Sequence, residues 1–360
     1  MKALFKTATA LALALGVAGL GTAVAQDKGH VVVASWGGSF QEDQRKAIFE
    51  PFEKETGIEV IEATGPSLAK VKAMVESGNT EWDVSGMVPG DLLILAREGL
   101  VEKLDYENYF KGMMDNIVKE VVHPYGIGNF FYTKVIAFNT EAFPEGGPQP
   151  DSWQDVWNAE KFPGPRAIDA GDWVVPPIEY ALLGDGVSVE NLYPLDFEHA
   201  YKSLEKIKPN VAKFTTASAM APQMLVDGEA VVGAATLGRV VRRKNEGAPI
   251  DFSWNQGLIQ FDYWIIPKNA PNYENAMKFI EYATRPEIQA DMVKLQLLGP
   301  VNLKAFDHLS QERAQALPSY PENLKKQVFL SADFWASTDE NGKSMVEKNQ
   351  EMWNRWSIQQ

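Results

Sequence analysis

The chain has 360 residues, enough for about two domains of ordinary size, and 45% of them are hydrophobic while Gly (28) and Pro (21) stay near average usage, which excludes a disordered or fibrous chain. Its 48 acidic residues outnumber 34 basic ones, a net charge of −14, so broad nucleic-acid binding, which needs a basic surface, is excluded as well. There is no cysteine, and the four histidines (His30, His123, His199, His308) stand far apart, which excludes disulfides, iron–sulfur clusters, thiolate zinc sites and a histidine metal centre; no cofactor or metal is expected.

Residues 1–25 differ from everything after them. Lys2 and Lys6 precede an apolar run over 8–20, and Ala23-Val24-Ala25 gives the small-x-small pattern of a signal cleaved after Ala25. Export to a bacterial periplasm follows. Removal of Lys2 and Lys6 takes the charge from −14 to −16. No cysteine follows the cleavage point to carry a lipid, and no later run approaches the ~20 apolar residues of a membrane span, so no membrane anchor is expected.

Residues 30–35 form a β-branched run that Trp36-Gly37-Gly38-Ser39 breaks. The spacing of Ala47, Ile48 and Phe52 predicts a helix over 40–56, stopped by Gly57. A strand at 58–61, a helix at 67–77, a short strand at 82–84 and a helix at 92–98 follow. Such alternation predicts parallel strands covered by helices, with ligands beyond the carboxyl ends of the strands. Residues 135–139 are strand-like and open a second block. It contains a Pro/Gly-rich stretch at 143–150 that leads into 153–157, a strand–helix unit from 166 with its helix at 178–183, a helix at 197–207, a segment near 211–218, a helix ending at 226 and a strand at 230–235. Residues 263–267 are strand-like and return the chain, helices follow at 275–284 and 286–297, and the segment holding Trp353 and Trp356 is expected to be a helix packed on the outside.

Four stretches in this order resemble the extracellular solute-binding proteins of bacterial ABC importers, within the group that includes spermidine/putrescine-binding proteins. They are VVVASWGGSFQEDQRKAIFEPFEKETGIEV (31–60), EWDVSGMVPGDLLILAREGLVEKLD (81–105), PYGIGNFFYTKVIAFN (124–139) and GAPIDFSWNQGLIQFDYWIIPKNAPNYENAMKFIEYATRPEIQ (247–289). The resemblance implies an α/β, two-lobe periplasmic-binding-protein fold (type II-like), with a ligand cleft between the lobes and hinge crossings. It divides the chain into a signal peptide (1–25), the first part of lobe 1 (26–137), lobe 2 (138–264), and a lobe 1 return with C-terminal helices (265–360). It also implies a monomer that delivers a small-molecule ligand to the permease of an ABC importer, and no catalysis.

A polyamine site needs several carboxylates and aromatic walls. By resemblance, the acid before the return crossing is kept as Asp262, while in 169–177 only Asp172 stands as the second acid, beside Trp173. Thr236-Leu237-Gly238-Arg239 and Gln260 replace expected tryptophans. The cleft thus loses acid and gains Arg239. One Arg and one Asp fit a zwitterion, the guanidinium taking the carboxylate and the Asp the ammonium. The pair also resembles that of a γ-aminobutyrate-binding branch, which makes a short ω-amino acid the first reading and a polyamine (putrescine or spermidine) the alternative. Trp36, Trp173 and Tyr125 are candidates to enclose the methylenes, and Thr215, Thr216 and Ser218 to donate hydroxyls. Gly37 and Ser39, at the helix start, complete the candidate site and keep an anionic ligand open.

Each candidate has a structural alternative. Arg239 begins a basic run with Arg242, Arg243 and Lys244 that fits a solvated helix face; Trp36 fits a core; Thr215, Thr216 and Ser218 fit helix caps. An exported hydrolase is the rival class. Its carboxylate pairs (Glu53/Glu55, Asp169/Asp172) lie on one exposed helix or in one loop, and no serine–histidine motif accompanies them.

Overall fold

The computed structural model describes residues 28–170 and 177–358. Eleven strands form one sheet: β1 (His30–Ser35), β2 (Glu59–Thr64), β3 (Val84–Met87), β4 (Val122–His123), β5 (Gly126–Asn139), β6 (Arg166–Asp169), β7 (Val211–Thr215), β8 (Val232–Thr236), β9 (Ile250–Ile265), β10 (Gly299–Pro300) and β11 (Val328–Phe329). The main order is β2-β1-β3-β9-β5-β8-β6-β7. β1 pairs in parallel with β2 and β3, and β6 with β7 and β8. The long strands β5 and β9 run antiparallel between these two parallel groups. A wholly parallel sheet is therefore not what forms. Residues 126–134 and 250–262 extend both crossing strands well beyond the segments at 135–139 and 263–267 that stand out in the sequence.

The hydrophobic core divides along these crossings. One cluster gathers β1, β3, the first half of β5 and the last third of β9 with the helices Glu50–Thr56, Tyr273–Ala283 and Pro286–Leu295; Phe52 and Trp264 both pack edge-on to Phe279. A second gathers Ile136, Phe138 and Ile168 with the helices Trp153–Trp157, Ile178–Gly184 and Phe197–Ile207, and a smaller third covers the other face of β5, β6 and β8. Burial of these side chains at roughly 25 cal/mol per Å² of apolar surface supplies the main stabilisation of each cluster.

The chain after Val328 joins the second cluster. Trp335 stacks on Phe197 at 5.8 Å, and Trp356 packs edge-on to Phe214 at 5.3 Å. The helix Met345–Ser357, begun by a Ser344/Glu347 capping box, thus carries its tryptophans into a core, Trp356 being buried, and is not merely an outer layer. Trp335 Nε1 and the Tyr193 hydroxyl both donate to Glu179 at 2.8 Å, which satisfies a fully enclosed carboxyl whose pKa burial pushes upward.

Candidate functional site

The carboxyl ends of the parallel strands in both groups face the crossing region. Met87, which ends β3, lies opposite Tyr263 in β9; Thr236, which ends β8, lies opposite Lys134 in β5. The groups of this edge therefore converge where β5 and β9 pass from one core to the other.

Asp262 stands at the centre of that passage. Gly128 pairs with Tyr263 and Phe131 with Phe261, so Asn129 and Phe130 together oppose the single residue Asp262. This is a β-bulge, which bends the ladder and re-aims a side chain. The Tyr132 hydroxyl donates to Asp262 Oδ1 at 3.4 Å, and the Trp36 indole N–H favours the ionised carboxyl. Trp36 leaves β1 and lies across Gly86 of β3, where a Cβ would come within 3.3 Å of its Nε1; glycine gives the indole this room. Part of Asp262 stays open to solvent, but protein crowds it enough that burial pushes its pKa up to about 7, with Trp36 and Tyr132 opposing the rise. A partly exposed carboxyl whose ionised form is disfavoured by burial gains from a cation placed beside it.

Gly37 and Gly38 adopt positive φ (74° and 57°) and start the helix that runs on through Thr56. The Gly37 N–H already donates to Gln41 Oε1 at 3.0 Å, and Ser39 is exposed. The adjoining groove, about 440 Å³, is lined by Glu42, Glu50 and Glu62 as well as Arg45 and Lys46. Those carboxylates disfavour the anion suggested by the glycines.

On the second side, Thr215 ends β7 and is buried opposite Asp169; Ser218 is half-buried in the turn before the helix Met220–Val226. That helix has Ala219 as its N-cap, without a side-chain cap, so neither hydroxyl serves the capping role. Arg239 lies in the first turn of the helix Leu237–Asn245, directly after β8. It is exposed and lines a pocket of about 160 Å³ with Arg242, Arg243, Ala219 and Pro222, at the rim of the second lobe. The structure thus groups Arg239 with its basic neighbours and brings it into no direct contact with Asp262. Tyr125 is also not brought to Asp262. It precedes Gly126, which pairs with Ile265, and its ring lies 5.8 Å from His123 and 5.9 Å from Lys103 Nζ, on the first lobe. Asp172 and Trp173 fall outside the described residues.

Two groups of this edge, Tyr132 and Lys134, escape the sequence reading, and a third, Asp169, is passed over there in favour of Asp172. Lys134 Nζ pairs with Asp169 Oδ2, and both side chains are buried. A lysine inside the apolar run 126–139 is the signal that could have found this pair, since a buried ammonium requires a partner. Among the described residues no group of three or more His, Asp or Glu is placed to hold a metal ion, and no helix is long and apolar enough to cross a membrane.

Two α/β halves joined by crossing strands, with a cation-receptive carboxyl between them, define a binding protein of the hinged two-lobe class. Residues 47–322 match the bacterial extracellular solute-binding proteins, and the chain belongs to that family. It is 33% identical over 332 residues to the gamma-aminobutyric acid-binding protein of Pseudomonas aeruginosa, covering 90% of this chain and 92% of the relative. It is 29% identical over 324 residues to the spermidine/putrescine-binding periplasmic protein of Escherichia coli, covering 86% and 88%. The crystal structure of an ABC transporter substrate-binding protein from Bradyrhizobium japonicum, 36% identical, superposes with a TM-score of 0.80 over 92% of this chain and 99% of the other. The protein is a solute-binding component of an ABC importer and not an enzyme.

Proposed function

We propose that the protein is a periplasmic receptor for a short ω-amino acid, with γ-aminobutyrate as the first candidate. The carrying observation is the Asp262 carboxyl at the bulge, held by Trp36 and Tyr132 and placed to accept an ammonium. Arg239, at the rim of the opposite lobe, is the group that would meet the ligand carboxylate on closure, with the hydroxyls of Thr215 and Ser218 nearby in the fold. Asp172 and Trp173 belong to the proposed site on sequence grounds alone. The similarity to a gamma-aminobutyric acid-binding protein supports this ligand. In this reading the first 25 residues are a signal removed after Ala25, lobe 1 comprises 26–137 and 265–360, lobe 2 comprises 138–264, and a monomer presents the closed cleft to the permease.

A polyamine is the second reading. The second carboxylate of Asp169 at the same edge and the similarity to a spermidine/putrescine-binding protein favour it. Calorimetry on the mature chain, unfolded and refolded to strip retained solute, separates the two. One site for γ-aminobutyrate with weak or absent heat from putrescine and spermidine is the expected result; the reverse order sinks the amino-acid reading. Mass spectrometry of solute released from natively purified protein checks it independently.

A further inference from the structure

Lys134 and Asp169 are both buried, at 6% and 8% exposure, and joined by an ion pair. Their positions make the pair more than a packing device. Lys134 lies opposite Thr236, the last residue of β8, and Asp169 ends β6, the parallel neighbour of β8. The lysine therefore reaches across the carboxyl end of β8 to a strand that is not its own neighbour. On its other side Lys134 lies opposite Leu258, and Tyr132 lies opposite Gln260. Residues 258, 260 and 262 share one face of β9, so Lys134, Tyr132 and Asp262 look into the same space. The separation along the strand from Leu258 to Asp262 is about 13 Å at roughly 3.3 Å per residue. Lys134 and Asp262 thus stand at the two ends of this face, with Tyr132 and Gln260 between them.

A ligand ammonium seated on Asp262 thus has a second carboxylate, Asp169, at the far end of that space. Left alone, this buried acid would attract another ammonium; instead the chain supplies its own. We propose that Lys134 is a built-in counter-ion that sets specificity: its ammonium takes the place at Asp169 that the distal ammonium of a diamine would occupy, so the cleft accepts ligands with one amine and disfavours diamines. This rests on the reading of the cleft as an amine site centred on Asp262. A second ammonium brought beside Lys134 meets a like charge in a poorly solvated place, whereas a distal carboxylate does not.

Lys134→Met keeps the length of the side chain and removes its charge. In calorimetry on the mature protein, the variant is expected to bind putrescine at least about tenfold more tightly than wild type does, since a charge-assisted contact becomes available, while γ-aminobutyrate affinity holds or falls. A folded Lys134→Met protein with an unchanged putrescine-to-γ-aminobutyrate ratio overturns the proposal. The isosteric Asp169→Asn variant reads the same contact from the other side. There Lys134 loses its neutraliser, so γ-aminobutyrate should bind about tenfold more tightly and putrescine less well; no change in either Kd also overturns it. Failure of the wild-type protein to bind γ-aminobutyrate counts against the proposed ligand alone, because the role of Lys134 is read from each variant relative to wild type.

Discussion

Tyr132 and Asp262 sit on opposite crossing strands and meet by a hydroxyl-to-carboxylate hydrogen bond of 3.4 Å, with the bulge of β5 between their ladder partners. The bond ties the Asp262 carboxyl, the amine contact proposed above, to both crossing strands at once.

Asp262 carries a cost that its removal should reveal. Its pKa in the folded protein, about 7, lies above the ordinary carboxyl value of about 4. A raised folded pKa gives stability that is present below the unfolded value and lost as pH rises through the folded one. The ligand-free protein should therefore lose stability from about pH 4 to about pH 7. Asp262→Asn should flatten that dependence and melt at a higher temperature than wild type at pH 8. The same variant should lose at least about a hundredfold in affinity for an amine-bearing ligand, which calorimetry measures. A variant that melts lower at pH 8 and binds normally would refute both statements.

Binding itself should be pH-dependent. An ammonium ligand selects ionised Asp262, so affinity should be full above about pH 7 and fall by up to about tenfold per unit below it. Titrations at pH 7 in buffers of different ionisation enthalpy should show proton release on binding. Trp36→Phe keeps an aromatic wall but removes the indole N–H, whose influence lowers the pKa of Asp262, so the midpoint of the affinity profile should move to higher pH. A midpoint that stays in place would mean the indole does not hold the carboxyl.

Much of this was legible in the sequence, for identifiable reasons. The strand–Trp-Gly-Gly–helix unit and the isolated acid between Phe261 and Tyr263 are local patterns, so Trp36 and Asp262 could be singled out. The partners of Asp262 and Asp169 could not, because they arise from pairing between strands far apart in the chain. The bulge depends on the register of β5 against β9, more than 100 residues away, and neither strand advertises it. Arg239 was singled out from its proximity to a strand; its position in the first turn of a helix instead turns it toward Arg242 and Arg243, three and four residues on.

Trp335→Phe should test the anchoring of the C-terminal segment. The variant keeps a ring against Phe197 but leaves buried Glu179 without one of its two side-chain donors. The expected loss is about 1–3 kcal/mol, read as a lower denaturation midpoint. Ligand affinity should hold, since the bonds of Glu179 run to Trp335 and Tyr193 and not to Asp262.

Gly233→Ala should be far more damaging. A Cβ at Gly233 would lie 1.9 Å from the Ala167 carbonyl oxygen, a backbone atom of the neighbouring strand β6 that cannot move without breaking the ladder. A loss on the order of 3 kcal/mol or more, or failure to fold, is expected by circular dichroism and thermal melting.

The register breaks of β5 and β9 have a mechanical meaning. One falls at Gly128/Phe131; the other, at Lys134/Ile136, accompanies the looped-out stretch of β9 around Gln256. Between them the ladder from Phe131 to Lys134 is unbroken, a stiff plate with a crease at each edge. A rotation of one half against the other would meet the fewest ladder bonds at these two creases, which leaves Tyr132 and Lys134 on the unbroken stretch between them.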